Sequence, residues 1–359
     1  MLNLLLFVAG LVALIVGADL LVRGASKLAL SFGLSPLVVG LTIVAFGTSA
    51  PEIAVSTGAA LSGQTGLAIG NVVGSNIFNV LFILGLSALV TPLVVHVQLI
   101  RQEVPIMIAA SALVLVLALD GALARTDSAL LLGLLLAYLV FLVRQSRAQS
   151  KAAVDEYTAS FGRPAGGGWD SRLPGQLVLI AGGLGLLVLG SGWLVDAAVV
   201  FARALGVSDL VIGLTIVAFG TSMPEVATSV LAAARGERDI AVGNVVGSNI
   251  FNLLGCLGIA GLASGAAGLP VAAAALNFDL WVMLAVALAC LPVFISGREI
   301  ARWEGALFLG YYIAYTTYLV LAAQQHAALP MFSGVMLSFI VPLTLVTLVV
   351  VMLRPPAGH

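Results

Sequence analysis

The chain has 359 residues, and its composition excludes a water-soluble protein. Hydrophobic residues make up 61% of the chain and charged residues only 9%, whereas a soluble domain carries ~25% charged residues. The mean hydropathy of +1.17 also excludes a disordered chain, which needs low hydrophobicity and high net charge. The net charge of −1 gives no support for nucleic-acid binding. Because a membrane helix needs about 20 apolar residues, the composition predicts a multi-pass protein in a lipid bilayer.

Apolar runs bounded by polar residues, glycine or proline predict eleven membrane spans. The first begins at Leu2 and lacks the basic segment and cleavage site of a secretory signal, so we interpret it as a retained span. The second and seventh are long for one straight crossing and contain glycine and proline, so broken helices are expected there. In chain order the predicted spans are 2–22, 34–62, 68–91, 104–119, 128–143, 175–201, 209–233, 240–263, 278–296, 304–322 and 332–353.

The distribution of basic residues predicts the orientation. With the N-terminus outside, thirteen of the fifteen Lys and Arg residues fall in inside loops, and only Arg125 and Arg203 fall outside. This is a clear positive-inside bias. The bias places the polar segment 144–174 in the cytoplasm as a short linker. The predicted location of the protein is the cell membrane, which is the inner or plasma membrane.

The cysteine and histidine residues suggest no resident metal or cofactor. Cys256 and Cys290 lie in apolar stretches without a CxxC motif, and His96, His326 and His359 are scattered along the chain. Neither a disulfide framework nor a zinc site is therefore predicted.

The most informative feature is an internal duplication. GLTIVAFGTSAPEIAVS (40–56) recurs as GLTIVAFGTSMPEVATS (213–229) with 14 of 17 positions identical, and GNVVGSNIFNV (70–80) recurs as GNVVGSNIFNL (243–253) with 10 of 11 identical. Each half has five spans, an odd number, so the second half enters the membrane from the opposite side. Inverted repeats with discontinuous helices are a recurrent transporter architecture, with the substrate site where the repeats meet.

The predicted fold is an all-α integral membrane protein, an inverted repeat of two five-helix halves with one extra C-terminal span. The predicted segments are 1–143 (first repeat), 144–174 (linker), 175–322 (second, inverted repeat) and 323–359 (extra span and tail).

Glu52 and Glu225 occupy matching positions deep within apolar spans. An ionised group there costs ~3 kcal/mol on an insertion scale, so it is usually partnered or functional. No Lys or Arg lies in the core of any span, so the two carboxylates are expected to converge on a cation. Proton binding by the pair is the competing option.

The flanking residues offer the oxygen ligands that calcium and sodium prefer. Pro51 and Pro224 each clash with the carbonyl four residues earlier, and carbonyls freed nearby would be candidate ligands. Hydroxyls precede each glutamate on the same helical face, and amides and hydroxyls recur every four residues in the next span. These candidates are Thr48, Ser49, Thr221 and Ser222, then Asn71, Ser75, Asn79, Asn244, Ser248 and Asn252.

Structural explanations compete for several of these positions. Small residues mark close helix packing in membranes, and Asn and Ser residues form interhelical hydrogen bonds. Asp19 and Arg23, one helical turn apart, are expected to form a surface pair. Asp196 and Asp279 are expected at solvated ends of their spans.

The paired motifs GTSAPE and GTSMPE, each followed by GNVVGSNIFN, resemble the two alpha-repeats of the calcium/cation antiporter superfamily, specifically its prokaryotic sodium/calcium exchangers. The resemblance covers about residues 1–322 and implies a ten-helix core. It implies a transporter without a cofactor, in which calcium and sodium compete for one site and the first and sixth helices slide across a fixed core.

The resemblance also implies a role for each matching residue. Glu52 and Glu225 would be the central cation ligands. Thr48 and Thr221 would offer mainly backbone carbonyls to calcium. The sodium sites would use Ser49, Ser75, Ser222 and Ser248 with the carbonyls of Ala45 and Ala218, and the remaining polar positions would be Asn79 and Asn252. Some relatives, potassium-dependent ones included, carry Asp at one of the last two positions.

The leading hypothesis is therefore antiport of calcium against sodium, with no obligatory protein partner. Calcium/proton antiport, or exchange of another divalent cation, would use the same carboxylates. A cation channel usually needs a pore around a symmetry axis of several subunits. An intramembrane serine protease would need a base near its nucleophile, whereas His96 and His326 are predicted at opposite membrane faces.

Overall fold

The computed structural model describes residues 2–32, 34–161, 170, 172–204, 218–265 and 268–353. Residues 2, 147–161, 202–204, 218, 348 and 350–353 are described by their backbone alone. The helices are α1 (Leu2–Phe32), α2 (Pro36–Thr48), α3 (Ala50–Leu61), α4 (Thr65–Val90), α5 (Leu99–Asp120), α6 (Arg125–Phe161), α7 (Leu173–Ala204), α8 (Ala218–Thr221), α9 (Met223–Ala234), α10 (Arg238–Ala263), α11 (Ala275–Ile295), α12 (Arg302–Ala323) and α13 (329–353).

The helices agree with the predicted spans. Within the described residues, nine helices are long and apolar enough to cross a membrane, and the bent pair α2–α3 adds a tenth span. The predicted seventh span, 209–233, is represented by α8 and α9, because its residues 209–217 lie outside the described part. Helix α6 continues through Phe161, well beyond the predicted end of its span at residue 143.

The expected break in the second span lies at Ser49. Helices α2 and α3 meet there at an angle of 43°, and Ser49 leaves helical geometry with a ψ of 1°. Pro51 explains the position, because its ring excludes the carbonyl of Gly47 from an α-helical hydrogen bond. In the second repeat Ser222, with a ψ of 6°, separates α8 from α9 in the same way.

Two small antiparallel pairings join the repeats at matching places. Strand β1 (Leu93–Val94) pairs with β4 (Glu299–Ile300), and β2 (Ala122–Leu123) pairs with β3 (Leu269–Pro270). Each pairing uses one strand from each half, as an inverted repeat about a two-fold axis requires. The chain is an all-α integral membrane protein built as an inverted repeat, with these short pairings at its loops.

Helices α1 and α7 pack backbone to backbone through glycine. A Cβ placed on Gly17 would lie 2.8 Å from the carbonyl oxygen of Gly183, and one on Gly183 would lie 2.7 Å from that of Gly17. Gly10 and Gly190 meet in the same reciprocal way, at 2.8 Å in both directions. Only glycine permits this approach, which is common between membrane helices.

A cluster of charges lies where α1 meets the end of α9. Arg23 lies 3.6 Å from Asp19, which confirms the predicted pair, and Asp19 also pairs with Arg235. Lys27 pairs with Asp170, and this contact lowers the pKa of the Asp170 carboxyl. The cluster connects the first helix to the second repeat and to the segment between the repeats.

The two most deeply buried spans are α4 and α10, whereas α12 and α13 lie at the periphery. Both α4 and α10 carry a π-helical turn, at Asn79–Leu84 and Phe251–Cys256. The extra helix α13 contacts α12 through Tyr311, whose hydroxyl lies 2.7 Å from that of Thr344.

Candidate cation site

The two glutamates and the hydroxyls around them meet in the core of the protein. Glu52 lies in the first turn of α3 and Glu225 in the first turn of α9. Both side chains are fully buried, as are those of Thr48, Ser49 and Ser222. The helix breaks place each carboxylate beside the break of the opposite repeat.

The repeats exchange hydrogen bonds crosswise. The Ser222 hydroxyl of the second repeat donates to Oε1 of Glu52 over 2.9 Å, and the Ser49 hydroxyl of the first repeat donates to Oε1 of Glu225 over 3.3 Å. Ser222 Oγ also lies 3.2 Å from Ser75 Oγ. Each carboxylate thus accepts a hydrogen bond from a neutral hydroxyl of the opposite repeat.

The threonines make the same crossed contacts with the amides of the neighbouring spans. The Thr48 hydroxyl donates to Oδ1 of Asn244 over 3.1 Å and lies 3.5 Å from Ser248 Oγ. The Thr221 hydroxyl donates to Oδ1 of Asn71 over 3.3 Å. The structure therefore brings the predicted threonines and serines to one place.

Asn76 and Asn249, which are not among the predicted ligands, contact the predicted ligands Asn79 and Asn252. Asn79 Nδ2 donates to Oδ1 of Asn249 over 3.0 Å, and Asn252 Nδ2 donates to Oδ1 of Asn76 over 3.3 Å. Asn76 and Asn249 belong to the duplicated GNVVGSNIFN segment, and their identity in both copies was the available signal. They were missed because they lie outside the predicted series of candidates spaced by four residues.

Four buried oxygens of the site have no hydrogen-bond donor among the described residues. They are Oε2 of Glu52, Oε2 of Glu225, Oδ1 of Asn79 and Oδ1 of Asn252. Each is an acceptor, and an unsatisfied buried acceptor costs about 1–3 kcal/mol. Two carboxylate and two amide oxygens, contributed equally by the repeats, suit a hard cation. In the described part of the chain, His, Cys, Asp and Glu form no cluster of three or more that could bind a metal.

The carbonyls near the breaks differ from the expectation that they would be free. The Ala45 carbonyl accepts the amide of Ser49 over 3.0 Å and lies 3.4 Å from the Thr48 hydroxyl, so a cation would compete with these donors for its two lone pairs. The Gly220 carbonyl accepts the hydroxyl of Ser191 from α7. Ala218 begins α8, and its side chain lies outside the described part.

Two buried carboxylates outside this site were missed by the sequence analysis. Glu103 accepts a hydrogen bond from the Tyr138 hydroxyl over 2.7 Å and two more from Gln98 and Gln102. Glu304 accepts the amide of Ala301 over 2.8 Å at the start of α12. These hydrogen bonds explain helix packing at Glu103 and capping at Glu304, whose second oxygen, Oε1, is buried without a donor among the described residues.

Asp279 differs from its predicted solvated position. It is partly buried and accepts a hydrogen bond from the Tyr315 hydroxyl over 2.9 Å, which parallels the pairing of Glu103 with Tyr138. Asp196 is exposed, as predicted. The Asp279 contact joins α11 to α12, a packing that the linear sequence did not reveal.

Comparisons with known proteins show the family of the chain. A family model described as sodium/calcium exchanger protein matches residues 2–144 and 175–321. A putative antiporter named CaxA from Alkalimonas amylolytica is 42% identical over 85% of this chain and 95% of its own length. The sodium/calcium exchanger MaX1 of Methanosarcina acetivorans is 35% identical over 88% of this chain and 98% of its own length.

A solved structure has the same fold. The sodium-calcium exchanger NCX_Mj, soaked with zero Na⁺ and Ca²⁺, superposes with a TM-score of 0.75 at 33% identity, covering 89% of this chain and 99% of that one. The family match spans both repeats and most of the chain. The chain therefore belongs to the sodium/calcium exchanger family and is a multi-pass cation exchanger rather than an enzyme.

Proposed function

We propose that the protein exchanges calcium for sodium across the cell membrane, with Glu52 and Glu225 as the central cation ligands. The observation that carries the proposal is the group of four buried acceptors that lack a donor in the described part of the chain, two of them carboxylate oxygens of these glutamates. Two negative charges neutralise one divalent ion, and the same oxygens suit sodium, so the two ions compete. That competition couples the two fluxes.

The contacts support further ligands. The amide oxygens of Asn79 and Asn252 are the remaining two acceptors without donors. The hydroxyls of Ser49, Ser75, Ser222 and Ser248, with Thr48 and Thr221 and the carbonyls of Ala45 and Ala218, would complete the shell when ions are bound. A hydroxyl is both a donor and an acceptor. A serine that donates to a carboxylate can therefore rotate its hydroxyl hydrogen away and offer a lone pair to a cation.

Alternating access accounts for exchange at one central site. The two halves are related by a pseudo-two-fold axis in the membrane plane. They can therefore exchange conformations, and the protein then opens to the opposite side of the membrane. The crosswise bonds from Ser222 to Glu52 and from Ser49 to Glu225 support a site between the halves, where such a movement would expose it to one side at a time.

We propose that the N-terminus lies outside and segment 144–174 in the cytoplasm, because thirteen of fifteen basic residues then face inward. Trypsin should cut this segment in inverted membrane vesicles and leave it intact in sealed spheroplasts. Cleavage in spheroplasts with the opposite protection in inverted vesicles would reverse the orientation.

The exchange is tested by calcium uptake. Liposomes containing the protein are loaded with sodium and diluted into sodium-free medium with tracer calcium. We expect uptake that requires the outward sodium gradient and disappears when sodium is present on both sides or when protein is omitted.

A pH gradient is applied in a parallel arm. Uptake driven by the pH gradient and insensitive to sodium would identify calcium/proton antiport at the same carboxylates and overturn the assignment of the counter-ion. Uptake that follows neither gradient would overturn the proposed exchange itself.

A further inference from the structure

We infer that Asn76 and Asn249 are positioning residues that turn the amide oxygens of Asn79 and Asn252 toward the cation. The inference rests on the proposed function, because it explains how two neutral ligands of that site are oriented. It concerns residues that touch the ligands and that do not belong to the predicted ligand set.

The backbone decides how the first pair of amides is oriented. Asn76 Nδ2 donates to the carbonyl of Asn249 over 3.4 Å, and Asn249 Nδ2 donates to the carbonyl of Asn76 over 3.3 Å. A carbonyl oxygen accepts from nitrogen and repels an amide oxygen. These reciprocal bonds therefore leave the Oδ1 atoms of both residues free to accept.

The second pair of amides follows from the first. Oδ1 of Asn249 accepts Nδ2 of Asn79, and Oδ1 of Asn76 accepts Nδ2 of Asn252. With their nitrogens held in this way, Asn79 and Asn252 each present an oxygen that no donor reaches among the residues the structure describes. A reversed amide would direct an N–H group, and not an oxygen, at the ion.

The chain of contacts crosses between the repeats at each step. Asn76 and Asn79 lie in α4, and Asn249 and Asn252 lie in α10. All four side chains are at most 2% exposed, so water does not compete for these groups. The Sδ atoms of Met283 and Met107 lie 3.8 Å and 3.4 Å from the Nδ2 atoms of Asn76 and Asn249, on equivalent helices of the two halves.

Double-mutant cycles test the inference. Calcium binding at equilibrium is measured for the purified full-length protein with Asn79→Ala, Asn249→Ala and both changes together. Each single change should weaken binding about 10-fold, because one ligand oxygen is lost or turned away. If Asn249 acts through Asn79, the double variant should bind calcium no more than about twofold more weakly than the Asn79→Ala variant.

The repeat-related cycle uses Asn252→Ala and Asn76→Ala and has the same expected result. Met107→Leu is the matched control. It removes the sulfur contact of Asn249 and leaves the Asn76 backbone carbonyl, which orients the Asn249 amide. Calcium binding should change less than twofold. Thermal unfolding is followed for every variant, and Ser replaces Ala at any position where the Ala variant does not fold.

Two results separate the ways in which the inference can fail. If the losses in a cycle multiply, the positioning role is overturned while Asn79 and Asn252 remain ligands. If Asn79→Ala and Asn252→Ala each leave calcium binding unchanged, the proposed ligand set is wrong, and the inference is overturned with it.

Discussion

Replacement of Glu52 or Glu225 by glutamine is expected to abolish calcium exchange in a protein that still folds. Glutamine preserves the volume of the side chain and an oxygen that can accept the 2.9 Å hydrogen bond from Ser222, or the 3.3 Å bond from Ser49. It removes one of the two negative charges that a divalent cation requires. Loss of one partner of a buried charged contact costs about 2–5 kcal/mol, so affinity should fall by about 30-fold to several thousand-fold.

The measurement is sodium-driven calcium uptake in proteoliposomes beside calcium binding and thermal unfolding of the purified variants. Asp196→Asn is the matched control, because it neutralises an exposed carboxylate of α7 and should leave uptake unchanged. Uptake at the wild-type rate in both glutamate variants would show that the buried carboxylates are not the ligands.

Replacement of Gly183 by alanine should separate α1 from α7 and destabilise the protein by about 1–3 kcal/mol, the usual cost of overpacking. The new Cβ would lie 2.7 Å from the Gly17 carbonyl oxygen and 2.7 Å from the Leu21 amide nitrogen. Both are backbone atoms, so no side-chain rotation relieves the clash. Uptake should fall too, because α7 donates the Ser191 hydroxyl to Gly220 beside the site.

Gly185→Ala is the control in the same helix, where a Cβ meets no described atom within 4 Å. It should retain the stability of the wild-type protein, because alanine is also the better helix former. The unfolding temperatures of the two variants are compared in detergent. Equal temperatures would contradict the proposed glycine contact between α1 and α7.

Much of the membrane architecture could be predicted from the sequence. Apolar runs report the length needed to cross a bilayer, and the break at Ser49 follows from Pro51, since both are local properties of the chain. The duplication with an odd number of spans predicted the inversion that the β1–β4 and β2–β3 pairings display. The extension of α6 to Phe161 was missed, because helix ends in polar segments lack an apolar signal.

The site was only partly predictable. The glutamates were identifiable because an ionised group inside an apolar span is costly. Asn76 and Asn249 were missed because a spacing of four residues selects one helical face, whereas their partners lie on the opposite repeat. Glu103 was likewise missed, since its donor Tyr138 belongs to the next helix.

The sequence by itself determined that this protein lies in a membrane, that its halves are inverted copies, and that two carboxylates are buried in matching places. Hydropathy, the number of spans and the position of a charge within an apolar run can all be read along the chain. Only the tertiary structure decided that Ser222 binds Glu52 and Ser49 binds Glu225, and that Oδ1 of Asn79 and Oδ1 of Asn252 have no donor among the described residues. These contacts join residues about half the chain apart, and the packing of one repeat against the other selects them.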